Sequence, residues 1–173
     1  MNLIEKFKLI TTFILDVDGV LTDGTVYVFD SGEQVRRMSI KDGFALQLAI
    51  KKGYRILVIS GGSSPAVITR LKKLGITDIF MNVTDKKSML EQYMQDHGLK
   101  KEQVLFMGDD IPDYNCMMLA ALACCPADSV PEIKLISKYI SACKGGEGCV
   151  RDVIEKVLKL NGNWDLDAEP AAI

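Results

Sequence analysis

A chain of 173 residues, 48% hydrophobic and 25% charged, has the size and balance of one globular domain. Its net charge of −2 argues against a nucleic-acid partner, which calls for a basic face. No apolar stretch reaches the length of a membrane span, Met1 to Leu9 lacks the apolar core of a signal peptide, and the five cysteines form no C-x-x-C pair. These features describe a cytoplasmic protein with free, mostly buried thiols, and with neither nucleic acid nor membrane as a partner.

Met1 to Lys8 reads as a short helical turn feeding a first strand from Leu9 to Asp16. Phe13-Ile14-Leu15 is apolar on both faces, which suits the buried centre of a parallel sheet. Thr25 to Phe29 and Glu33 to Ser39, joined by Asp30-Ser31-Gly32, read as a hairpin placed to overhang the end of that strand. Asp42 as N-cap and Gly53 as the C′ residue bound a helix over Phe44 to Lys52. Arg55 to Ser60 is a second buried strand. Pro65 begins a helix reaching Leu74, which Gly75 stops. Asp78 to Met81 is a third strand, followed by a helix from Lys86 to His97 ending at Gly98, with His97 a partner for the C-terminal dipole. Gln103 to Met107 is a fourth strand, Pro112 to Ala121 a helix, Ala123 to Cys125 a fifth strand and Glu132 to Ser137 a short helix. Tyr139-Ile140 adds a small sixth strand, and Arg151 to Leu160 forms the last helix. Residues 161–173 lose periodicity and read as a mobile tail. Strand–helix alternation of this kind specifies an α/β, doubly wound, Rossmann-like parallel sheet, with residues 1–160 as one domain.

In such sheets, ligands bind just beyond the carboxyl ends of the strands. Four of those ends carry polar groups: Asp16 with Asp18, Ser60-Gly61, Lys86, and Asp109-Asp110 with Asp113. Taken singly each is weak. A D-x-D pair also caps strand ends, Lys86 suits a helix start on the surface, and Ser60 suits a turn. Brought to one edge, they suit phosphoryl transfer. A phosphate monoester is doubly negative, so a carboxylate nucleophile must be shielded to approach phosphorus. A hard cation such as Mg²⁺, held by carboxylates, water and phosphate oxygen, provides the shielding.

The string D-V-D-G-V-L-T-D-G, Asp16 to Gly24, resembles the first motif of the haloacid dehalogenase superfamily. More narrowly it resembles the small capless branch that holds 3-deoxy-D-manno-octulosonate 8-phosphate (KDO 8-phosphate) phosphatase, an enzyme of lipopolysaccharide precursor synthesis. The gap from Gly24 to Asp42 holds the hairpin alone and leaves no room for a cap domain. The resemblance implies Mg²⁺ on Asp16, Asp109 and the Asp18 carbonyl. It implies Asp16 as nucleophile, forming an aspartyl-phosphate, and Asp18 as general acid and then base. Ser60 and a backbone N–H, with Gly61 beside them, would hold a phosphoryl oxygen, and Lys86 would balance its charge. Asp110 and Asp113 would act behind these groups, Asp113 by orienting Lys86 or metal-bound water.

For the sugar, the resemblance implies contacts from Ser39, Ile40, Lys41, Asp42 and Gly43, and from Arg70, although Lys41 and Arg70 also suit solvated surface charges. It departs from the family at Gly62 and Gln47, where relatives carry arginine, which keeps a nonulosonate 9-phosphate open as substrate. Gly145-Gly146-Glu147-Gly148-Cys149-Val150-Arg151 resembles the branch's glycine signature and implies backbone passing close to the site or to a neighbouring subunit. A homotetramer with shared sites is the implied assembly, since Val26, Val28 and Val35 of the hairpin need a covering surface. Two rivals differ in class. A response-regulator receiver has its adjacent acid pair early and its acceptor on a later strand, the reverse of the order here. A non-catalytic oligomerising module would have no need to keep all four motifs.

Overall fold

The structure, a computed structural model, describes residues 1–165 and 167. Six parallel strands form one sheet: β1 (Thr12–Leu15), β4 (Arg55–Ile59), β5 (Asp78–Phe80), β6 (Val104–Met107), β7 (Leu122–Cys125) and β8 (Tyr139–Ile140). A separate two-stranded hairpin consists of β2 (Tyr27–Val28) and β3 (Gln34–Val35). The sheet order is β5-β4-β1-β6-β7-β8. The first strand is therefore central, and the chain winds first to one side of it and then to the other. That reversal between β1 and β6 is the switch point where open α/β sheets bind ligands.

Strand alternation divides the core into two. Phe13, Leu15, Ile56, Val58, Leu105 and Met107 point to one face, where α1 (Leu3–Leu9), α2 (Ile40–Lys51), α3 (Pro65–Lys73) and α7 (Cys149–Leu160) pack. Ile14, Leu57, Ile59, Val104 and Phe106 point to the other, against α4 (Lys86–Asp96), α5 (Tyr114–Met117) and α6 (Pro131–Ile136). Every residue of β1 is buried, and truncating Leu15 to alanine would cost about 2–5 kcal/mol by the cavity it leaves.

Several elements differ from expectation. The hairpin strands are two residues each, and the rest of 25–39 is irregular, anchored by an isolated bridge between Thr22 and Met38. The helix N-cap is Ser39, whose hydroxyl accepts from the Asp42 N–H at 3.3 Å; Asp42 sits inside the first turn. The helix expected over 112–121 shrinks to Tyr114–Met117. Beyond it the Leu119 and Ala120 N–H groups bond three residues back, and Ala121 bonds the Lys101 carbonyl, so the chain tightens and turns into β7. His97 is the C-cap of α4, with its ring nitrogen 2.9 Å from the Tyr93 carbonyl. The tail begins docked rather than loose. Asn163 donates to the Tyr54 hydroxyl at 3.0 Å, and Trp164 meets Phe44 edge-on at 5.9 Å. The rest of the expected tail, residue 166 and 168–173, lies outside the described residues.

Candidate active site

The register aligns Leu15 of β1 with Val58 of β4 and Met107 of β6, so the residues that follow emerge at one edge. The Asp16 N–H donates to the Met107 carbonyl at 3.1 Å, which fixes the first carboxylate at the tip of the central strand. The chain then makes a wide turn over Val17–Leu21, closed by the Thr22 N–H on the Val17 carbonyl at 3.0 Å. The buried Thr22 hydroxyl accepts from the N–H groups of Gly19 and Gly24 at 3.3 and 3.2 Å, holding the turn from inside. Gly19 has φ +85°, and a Cβ there would overlap the Asp109 carboxylate, its farther oxygen at 2.9 Å. Glycine is thus required twice over, by conformation and by the close approach of a second acid.

Lys86 leaves the first position of α4, whose N-cap Asp85 accepts from the Ser88 N–H at 3.0 Å. Its ammonium is almost fully buried and donates to Asp16 Oδ1 at 2.9 Å and Asp113 Oδ1 at 2.8 Å. Asp113 also accepts from the Asp109 N–H at 3.2 Å through Oδ2. Asp110 is exposed, and its carboxylate caps the turn at Ile111 at 2.7 Å. Ser60 is buried at the end of β4, where its hydroxyl accepts from the Gly62 N–H at 3.2 Å.

Asp16, Asp18, Ser60, Gly61, Lys86, Asp109, Asp110 and Asp113 together line one cleft of about 280 Å³. Oxygens of Asp16, Asp109 and Asp113 all lie within 4.8 Å of one another. Burial, then the charge of Asp113, pushes the Asp16 carboxyl up to about 8. Burial, then Asp113 and Asp110, pushes Asp109 up to about 7. Burial opposes the charge on Lys86, but Asp16 and Asp113 outweigh it and hold the ammonium above its ordinary value. One cation among these carboxylates leaves an excess of negative charge. The donors are all hard oxygens without His or Cys, which fits a magnesium-like ion and not a soft metal.

The residues expected at the sugar fall elsewhere. Asp42 does not face the cleft: it is 1% exposed and accepts from the Arg151 N–H at 2.7 Å, at the start of α7. Burial pushes its carboxyl up to about 6, and Oδ2 has no hydrogen-bond partner among the described residues. Gly43 is buried against α3, where a Cβ would meet Arg70 Nη2 at 3.0 Å. Ile40 is exposed, and Lys41 lines a different groove, with Arg151 and Lys159. Within one chain, Ser39 to Gly43 and Arg70 lie outside the aspartate cleft.

Two groups escaped sequence reasoning. Thr22 organises the turn, and its signal was its place inside the D-x-D-G-x-x-T string. Arg36, from the hairpin, donates through Nε to Asp18 Oδ1 at 2.7 Å. No local pattern marks that contact, because it spans eighteen residues. The glycines of the late signature approach the site loop itself: a Cβ at Gly145 would meet the Gly19 carbonyl carbon at 2.6 Å, and one at Gly146 the Thr22 carbonyl carbon at 2.6 Å.

Comparison with known proteins decides the family. Residues 72–153 match the model of the haloacid dehalogenase-like hydrolases. The 3-deoxy-D-manno-octulosonate 8-phosphate phosphatase KdsC of Escherichia coli (strain K12) is 30% identical over 164 residues, covering 95% of this chain and 87% of that protein. This chain belongs to the KDO 8-phosphate phosphatase family. The family places it among the phosphoric monoester hydrolases of the haloacid dehalogenase type. Solved structures agree. The family's phosphatase from Yersinia pestis superposes with a TM-score of 0.89 at 29% identity, covering 92% of this chain and 86% of that one. The phosphatase from Moraxella catarrhalis, solved with a magnesium ion, a phosphate ion and KDO, gives 0.89 at 33% identity, covering 94% of each chain. Among the described residues, no helix is long and apolar enough to cross a membrane.

Proposed function

We propose that this phosphatase hydrolyses a sugar-acid phosphate, KDO 8-phosphate, to KDO and phosphate. The observation that carries the reading is the cluster of Asp16, Asp109 and Asp113 around Lys86, in a chain 33% identical to a phosphatase solved with magnesium, phosphate and KDO. Asp16 and Asp109, with the Asp18 carbonyl, would hold Mg²⁺, which when bound neutralises carboxylate and phosphoryl charge. Asp16 attacks phosphorus and the bond from phosphorus to the sugar oxygen breaks, while Asp18 gives that oxygen its proton. Asp18 then takes a proton from water as the water attacks the aspartyl-phosphate, which releases phosphate and restores Asp16. Ser60 and the Gly61 region orient a phosphoryl oxygen, and Lys86 stabilises charge as it spreads over the group. Asp113 holds Lys86 in place, and Asp110 supports the turn that carries it. A nonulosonate 9-phosphate is the second reading, favoured by Gly62 and Gln47 in place of the family's arginines. A panel of sugar phosphates separates the two. KDO 8-phosphate is expected to give the highest kcat/KM, preference for a nonulosonate 9-phosphate would select the second reading, and preference for a neutral hexose phosphate would overturn both.

The assembly we propose is an oligomer, a tetramer by family resemblance, in which sites are completed across subunits. The support is exposure. Val26, Tyr27, Val28, Phe29 and Val35 are exposed apolar side chains on a hairpin too short to be stable alone. Ser39, Ile40, Lys41 and Arg70, outside the cleft of their own chain, would then serve a neighbour's, whereas Asp42 and Gly43 are buried within their own chain and would not. Mixing inactive Asp16→Ala and Arg70→Ala subunits should restore activity if halves are shared. No recovery, with subunit exchange demonstrated, would show that each chain closes its own site.

A further inference from the structure

Arg36 leaves the end of β3 with a side chain 8% exposed, although it stands on an otherwise exposed hairpin. Its Nε is committed to Asp18 Oδ1 at 2.7 Å. Neither Nη atom has a hydrogen-bond partner among the described residues, and Nη2 lies 3.8 Å from the place a Cβ would take at Gly62. Gly62 lines the cleft, and the place its side chain would take is bordered by Asp18 Oδ2 at 3.2 Å, the Ser60 hydroxyl at 3.7 Å and this guanidinium. Charge makes the placement informative. Among the described residues lining the cleft, Lys86 is the sole cation, and Asp16 and Asp113 already occupy it. A leaving group with its own negative charge would meet five carboxylates and no available cation.

We propose that Arg36 binds the anionic group of the leaving sugar, beside Gly62. The inference rests on the sugar-acid reading above and deepens it. Asp18, as the acid that protonates the sugar oxygen, places the leaving group on its own side of the cleft, and Arg36 is bonded to that same carboxylate. A guanidinium presents paired N–H groups that match a carboxylate in two-point geometry, and Nη2 of Arg36 lies on the side of Gly62, a residue that lines the cleft. With no substrate present it rests on Asp18. An incoming carboxylate offers it a second anion, so recognition of the sugar acid and release of Asp18 for proton transfer become linked.

The test compares two substrates, KDO 8-phosphate and the same sugar phosphate with its carboxylate reduced to an alcohol, by kcat and KM for phosphate release. Wild-type enzyme should prefer the acid by roughly ten- to a hundredfold in kcat/KM, the range of a charge-assisted hydrogen bond. Arg36→Ala should erase most of that preference, chiefly through KM for the acid, and Arg36→Lys should keep part of it. Each protein is compared with itself, so any loss of folded enzyme cancels. If Arg36→Ala lowers both substrates by one factor and leaves the preference intact, Arg36 serves only to position Asp18 and the inference is overturned. If wild-type enzyme shows no preference for the acid, the sugar-acid reading fails and takes this inference with it.

Discussion

Substituting Gly19 by alanine tests how closely the turn after β1 and the second acid are built together. Gly19 has φ +85°, so alanine there costs about 1–2 kcal/mol through backbone strain alone. Its Cβ would also strike the Asp109 carboxylate, where even the farther oxygen lies at 2.9 Å against the 3.4 Å of ordinary contact. Asp109 must retreat by about half an ångström at Oδ1 and by more at Oδ2. Magnesium holds its oxygens at about 2.0–2.1 Å in near-ideal octahedral geometry, so a shift of that size loosens a ligand. Gly53 supplies the control, since it also has φ +85° but nothing within 4 Å of the place its Cβ would take. Gly53→Ala should lower the urea midpoint by the strain alone and keep the wild-type magnesium activation curve. Gly19→Ala should lose more stability than Gly53→Ala, through the added clash with Asp109, and need at least about tenfold more magnesium for half activation. Wild-type magnesium activation in Gly19→Ala would refute the reasoning that Asp109 and the turn share this space.

Asp42 should make stability depend on pH. Its folded carboxyl is raised to about 6, so the folded state holds the proton more tightly, and stability falls as pH rises from about 4 to about 6. The shift corresponds to at most about 3 kcal/mol, so Asp42→Asn should flatten this slope and raise the urea midpoint at pH 7.5. A lower midpoint there would show that burial is not the dominant influence on Asp42. Replacing Lys86 by methionine leaves Asp16 and Asp113 buried without their cation, a loss of about 3–5 kcal/mol in metal-free buffer. Thermal unfolding should show magnesium stabilising Lys86→Met more than wild type, and equal stabilisation would contradict a metal beside these acids.

The sheet and the four polar strand ends were legible because each is written locally: an apolar run, then an acid, a hydroxyl or a glycine. The order of the strands was not, since nothing in Gln103 to Met107 says that it lies beside Thr12 to Leu15. Asp42 misled as a cap because Ser39, three residues earlier, offers the same hydrogen bond and wins the position. The close approach implied by Gly145 and Gly146 was readable as a constraint. Its target, the turn at Gly19 and Thr22, is more than a hundred residues away and only the fold reveals it. Arg36 was illegible for a related reason. A hairpin of two-residue strands carries little pattern, and its function lies in where the turn aims one side chain.

Release of phosphate from KDO 8-phosphate by wild-type enzyme and by Asp16→Asn, each stripped with a chelator and then given magnesium, tests the central claim most directly. Wild-type turnover should vanish with the chelator and return with magnesium. Asp16→Asn should stay at least about 10⁴-fold slower under both conditions, as expected for removal of a nucleophile. Wild-type rates from Asp16→Asn, or full turnover by the metal-free enzyme, would contradict a metal-dependent attack by the carboxylate at the tip of β1.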